Sequence, residues 1–125
     1  MRIIGLGVDL ADIDRVEAVF DTYPRFIERC FTAHEKEYAL RFAKPARRLA
    51  ARFAGKEAVM KSLGTGWRRI RWTDIEITGG GAPRVRMSGN AALRADMLGV
   101  TDVLVTVTHT DTSALVMAVA VGEHD

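Results

Sequence analysis

The chain is short of nearly everything that would name a function by itself. One cysteine among 125 residues, Cys30, leaves no intrachain disulfide to form and fits a reducing compartment. No apolar run reaches the roughly 20 residues of a membrane-spanning helix, and no signal-peptide pattern opens the chain. The expectation is a cytoplasmic protein with no membrane contact. Net charge is only +2, too little to indicate nucleic acid, and no zinc finger, recognition helix or aromatic platform is present. One Cys and three His with no ligand spacing exclude a zinc site. GxGxxG and GxSxG are both missing, which removes the dinucleotide fingerprint and the nucleophile elbow.

What is there suits one compact domain over residues 1–125. Hydrophobic residues make up 48%, enough for a real core. RIIGLGVDL (2–10) reads as a strand, and Asp12 can cap the helix that follows, whose Ile13, Val16, Val19 and Phe20 recur at helical spacing. Pro24 predicts a break or kink. Thr32 and Glu35 form a capping box, predicting a helix from Ala33 to about Ala43 and Lys44. The stretch ARRLAARFAGKEAVMKSLG (46–64) predicts the longest and best-buried helix, ended by Gly64. Beyond it, residues 74–78 and 84–87 predict strands around a GGGAP turn, Ser88 caps a short helix, and 103–108 and 115–121 form a second strand pair. The class is α+β, helices packed against an antiparallel sheet.

A few polar side chains on these apolar elements carry the possible chemistry. Asp9 ends an apolar strand, where a carboxylate needs a partner, a hydrogen bond or a metal ion. Glu57 and Lys61 make an i,i+4 helix pair that contributes only a few tenths of a kcal/mol when exposed. Spacing alone leaves that use open beside a catalytic one. Two carboxylates with phosphate oxygens would suit Mg²⁺. Lys56 and Lys61 diverge around the helix, so they need not share a task. His109 ends a strand, where it can cap backbone or face a pocket. The basic run Arg41, Lys44, Arg47, Arg48 and Arg52 serves equally as a solvated face or an anion site.

Three stretches in this order, Ile4-Gly5-Leu6-Gly7-Val8-Asp9, Arg52-Phe53-Ala54-Gly55-Lys56-Glu57-Ala58-Val59-Met60-Lys61-Ser62-Leu63-Gly64-Thr65-Gly66 and Thr108-His109-Thr110, resemble the holo-[acyl-carrier-protein] synthase family of 4′-phosphopantetheinyl transferases. The first motif is weak alone; joined to the second it is highly specific, and the likeness runs over essentially the whole chain. It implies an antiparallel sheet packed on a long central helix, and a homotrimer with active sites at subunit boundaries. The implied activity moves 4′-phosphopantetheine from coenzyme A to a serine of apo-acyl-carrier protein, in fatty-acid biosynthesis, releasing adenosine 3′,5′-bisphosphate. By the same resemblance Asp9 and Glu57 hold Mg²⁺, and Glu57 and Lys61 are catalytic. Lys56, Lys61, Gly64, Thr65, Gly66 and His109 bind coenzyme A. Arg15 meets the acidic carrier, with Arg25 and Arg29 as further contributors. Gly55 stands where the family often has alanine, and Thr108 where it commonly has serine. A non-catalytic CoA-binding module would bind CoA and modify no carrier; a mere carrier-interaction domain would ignore CoA and metal.

Overall fold

A computed structural model describes residues 1–79 and 82–123, so the expected GGGAP turn lies partly outside the described residues. The chain runs β1 (Arg2–Asp12), α1 (Ile13–Thr22), α2 (Pro24–Cys30), α3 (Ala33–Ala39), α4 (Pro45–Ser62), β2 (Ile75–Thr78), β3 (Arg84–Met87), α5 (Gly89–Leu98), β4 (Asp102–His109) and β5 (Ser113–Gly122). The α+β class holds: an antiparallel sheet ordered β1-β5-β4 packs on α4, with β2 and β3 as a separate antiparallel pair.

The break expected at Pro24 is present: α1 ends at Thr22, and Pro24 opens α2 as a first-turn residue, where its missing N–H costs nothing. One expectation needs correction. The helix from Ala33 stops at Ala39 rather than at Ala43 or Lys44. Its chain tightens there, Arg41 N donating to Tyr38 O and Phe42 N to Ala39 O, which is the closer turn that commonly ends a helix. The capping box itself is present: Glu35 N donates to the Thr32 hydroxyl and Thr32 N to the Glu35 carboxylate.

The seam between sheet and α4 places the site. On the inward face of the sheet, Gly5 pairs with Ala120, Gly7 with Ala118 and Asp9 with Val116. This run of small side chains lets α4 lie against the strand backbone. A Cβ on Gly7 would stand 1.9 Å from the Ala58 carbonyl oxygen, and one on Gly5 1.9 Å from that of Ser62. Only glycine admits that approach. On its other sides α4 buries Leu49, Val59 and Met60, and each such side chain taken from water contributes about 2 kcal/mol. The helix ends at Leu63, with Gly64 at φ +66° turning the chain away.

A relay of rings binds the smaller helices to this centre. Phe20 contacts Phe26 and Phe31, Phe26 contacts Phe53, and Phe53 stacks on Trp72 with ring centres 4.7 Å apart. Trp72 begins a short 3₁₀ turn, Trp72–Asp74, that leads into β2.

Candidate functional site

Asp9 leaves the inward face of β1 where that strand crosses the later turns of α4. Lys61 reaches back across the seam, its ammonium donating to Val8 O at 3.1 Å and to Asp9 Oδ1 at 3.2 Å. Asp9 is mostly covered, at 14% side-chain exposure, while Lys61 is half open at 54%. Glu57, one helical turn before Lys61, projects to the same side and comes within hydrogen-bonding reach of Asp9. Burial first, and then the Asp9 carboxylate, push the Glu57 carboxyl up to about 7, against the opposing pull of Lys61. This corner therefore crowds two carboxyl groups against one half-exposed ammonium. The excess of negative oxygen fits a hard divalent cation that completes its shell with water and phosphate. Among the described residues no group of three or more His, Cys, Asp and Glu could form an all-protein metal cage.

Lys56, expected to bind the cofactor, is turned away from this corner. One residue along an α-helix rotates by about 100°, so Lys56 points inward while Glu57 points out. It is fully buried, its ammonium 2.6 Å from Glu35, which is also fully buried, and it donates to Trp72 O at 3.0 Å and to Ile75 O. Three donors meet three acceptors, and none remains for a ligand. Desolvation lowers the Lys56 pKa from its ordinary value, opposed by Glu35. Glu35 is equally committed, accepting from Thr32 N and from Ile77 N at 3.0 Å. The capping box revealed only the local half of its role.

Of the other expected ligands, Gly64 follows closely on Lys61, its N–H donating to Lys61 O at 3.0 Å. Gly64 and Thr65 line a cavity of about 510 Å³ with Arg69, Asn90 and Arg94. His109 is exposed and borders two further cavities, one of about 210 Å³ with Arg48 and Arg52, the other of about 420 Å³ with Lys44 and Arg47. Neither contains Asp9, Glu57 or Lys61. The basic run is thus divided. Arg52 is buried over the Tyr38 ring and donates to Gly79 O, not the solvated residue that spacing allows, while Arg48 lies over Phe42. Arg15 is exposed in the first turn of α1, where its backbone N–H meets the Asp12 cap.

A further cavity, of about 790 Å³, opens directly beside Glu57. Phe26, Phe53 and Trp72 make its apolar floor, and Arg29, Arg68 and Arg71 rim it. Sequence reasoning missed Arg68 and Arg71. Trp72 is 8% exposed and structural, whereas Trp67 is 58% exposed at the cavity edge. The cluster Trp67-Arg68-Arg69-Ile70-Arg71-Trp72, directly after the glycine turn, was the available signal.

Comparison with known proteins places the chain in one family. A family model for the 4′-phosphopantetheinyl transferase superfamily matches residues 5–117. Over 120 residues the chain is 45% identical to a holo-[acyl-carrier-protein] synthase of Solibacter usitatus, covering 93% of this chain and 94% of that one. Among solved structures, the acyl carrier protein synthase of Plasmodium yoelii with ADP bound superposes with a TM-score of 0.88 at 27% identity, covering 98% of each chain. The Helicobacter pylori holo-[acyl-carrier-protein] synthase in complex with coenzyme A gives 0.77 at 25% identity, covering 93% of this chain and 99% of that one.

Proposed function

The chain belongs to the 4′-phosphopantetheinyl transferase superfamily, and within it we propose that it is a Mg²⁺-dependent holo-[acyl-carrier-protein] synthase. It transfers 4′-phosphopantetheine from coenzyme A to a serine of apo-acyl-carrier protein in fatty-acid biosynthesis. One observation carries the reading: Asp9 on β1 meets Glu57 and Lys61, one helical turn apart on α4 and distant from it in sequence, and Glu57 lines an apolar cavity rimmed by arginines.

The reaction forms a bond from the serine oxygen to the β-phosphorus of CoA and breaks the bond to the bridging oxygen of its pyrophosphate. Adenosine 3′,5′-bisphosphate leaves. Asp9 and Glu57 would hold the Mg²⁺, which supplies charge neutralisation and orientation of the pyrophosphate when bound. Glu57, which lines the cavity, accepts the serine proton directly or through a water. Lys61, held by Val8 O and Asp9, presents positive charge to the departing phosphate. Arg29, Arg68 and Arg71, with Arg15 on α1, suit the acidic carrier.

The placement of His109 on cavities that do not include Glu57 supports a CoA site shared between copies in a homotrimer. So does the outward face of the sheet, where Leu6, Val8 and Leu10 lie beside Leu115 and Met117, all of them exposed. Such a continuous apolar face on a lone chain is what an interface between copies covers. Among the described residues no helix is long and apolar enough to cross a membrane, and a cytoplasmic location accords with the single free thiol.

Incubation with CoA, Mg²⁺ and apo-carrier, followed by intact mass measurement, tests the reaction. The carrier gains the mass of one phosphopantetheine, and an unchanged carrier alongside an active control synthase rejects the reading. Light scattering tests the assembly; a monomer at micromolar concentration rejects it.

A further inference from the structure

Lys56 and Glu35 present a problem that fold stability does not solve. Both side chains are fully buried, and taking two charges out of water costs several kcal/mol each before their attraction returns any of it. Apolar residues of similar size often serve a core as well or better. What the pair does provide is direction. The Lys56 ammonium binds the carbonyls of Trp72 and Ile75, which flank the 3₁₀ turn. Glu35 binds β2 through Ile77 N and the start of α3 through Thr32 N. Three elements, the 3₁₀ turn, β2 and α3, are therefore fixed to one point on α4, immediately next to Glu57. The same 3₁₀ turn supplies Trp72 and Thr73 to the wall of the cavity that Glu57 faces.

We propose that the Glu35–Lys56 pair is a positioning device for the transferase site. It sets the rotation of α4, and with it the direction of Glu57, against the Trp72–Ile75 wall. The inference rests on the transferase reading above. Neither residue touches substrate; both act through Glu57 and Trp72. A purely apolar contact would hold α4 against the turn but would tolerate sliding and rotation. Directed hydrogen bonds from one ammonium to two carbonyls and a carboxylate do not.

The test compares wild type with Lys56→Met/Glu35→Leu, which removes both charges at once, and with Glu35→Asp, which keeps both and shortens one arm. Turnover per folded molecule, KM for CoA and melting temperature are measured for each. Quenching of Trp72 emission by acrylamide is read in a Trp67→Phe background. The double variant is expected to fold with a melting temperature lowered by about 10–20 °C, because Trp72 O, Ile75 O and Ile77 N lose their buried partners. Its kcat falls about tenfold or more, its KM for CoA stays within about threefold, and its Trp72 is quenched more readily. Glu35→Asp shows the same split to a smaller degree. A folded double variant with kcat within about twofold of wild type and unchanged quenching overturns the proposal. If the double variant does not fold, Glu35→Asp decides: lowered kcat at unchanged KM supports positioning, and wild-type kcat refutes it. Should wild type modify no carrier, the transferase reading falls; the quenching, which needs no turnover, still decides whether the pair holds the wall.

Discussion

Two lysine–carboxylate pairs stand on α4 with opposite fates. Inside, Lys56 and Glu35 lie 2.6 Å apart, both fully buried, with every donor and acceptor matched. Outside, Lys61 and Asp9 sit 3.2 Å apart with the ammonium half open, and Glu57 adds a second carboxylate that the single cation does not balance. The chemical groups are the same; what differs is how completely the chain satisfies them. A closed pair can hold elements in place but has nothing left to offer a ligand. The incomplete cluster retains oxygens and charge for an ion and a phosphate. Chemistry belongs to the corner the fold leaves unfinished.

The largest expected effect comes from removing the open side. Asp9→Ala or Glu57→Ala should lower carrier modification by roughly three orders of magnitude, with circular dichroism and melting temperature near wild type. If both variants kept normal turnover, the contrast between the two faces would have no functional meaning. On the closed side, Lys56→Met alone strands the Glu35 charge in the core and should cost about 3–5 kcal/mol in urea unfolding. A loss below about 1 kcal/mol would mean that the pair is not closed in solution.

Gly7→Ala attacks the seam on which the open cluster is built. The added methyl meets the Ala58 carbonyl, so β1 must back away from α4 at a cost of about 1–3 kcal/mol, carrying Asp9 with it. Activity should fall further than stability accounts for; full activity at wild-type stability would show that the seam has slack. The smallest effect is in pH. Folded Glu57 holds its proton up to about 7, whereas the ordinary carboxyl titrates near 4.5. The stability from that proton is complete below about 4.5 and is lost as pH rises through about 7. Because Glu57 is only half-buried, solvent screening reduces the loss to about 1 kcal/mol. Urea titrations in chelator between pH 5 and 8 should show it in wild type but not in Glu57→Gln, and Mg²⁺ should restore it at pH 8 alone. Identical slopes in the two proteins would mean that Glu57 is not the strained member.

Much of this was legible in the chain itself. Asp9 stands on an apolar strand, Gly64 stops an uninterrupted helix, and Thr32 with Glu35 has a local spacing that specifies a cap. Each of those signals lies within a few residues. The fate of Lys56 does not: its partners are 21, 16 and 19 positions away at Glu35, Trp72 and Ile75. No periodicity reports which of two helix lysines faces inward when both flank apolar residues. The resemblance made both Lys56 and Lys61 ligands of coenzyme A; only packing separates them. Likewise Arg68 and Arg71 gain their place beside Glu57 from the path of the chain after Gly66, and no local rule dictates that path.

The order of strands in the sheet has a consequence for synthesis. β5 lies between β1 and β4, although it follows both in sequence. A nascent chain thus exposes β1, with its outward leucines and valine, for more than a hundred residues before residues 113–122 arrive to pair with it. Until then Asp9 belongs to a strand with no neighbour. The ribosome must therefore release nearly all of the chain before the first of the site's carboxylates is in place, and the growing polypeptide has no early opportunity to capture coenzyme A.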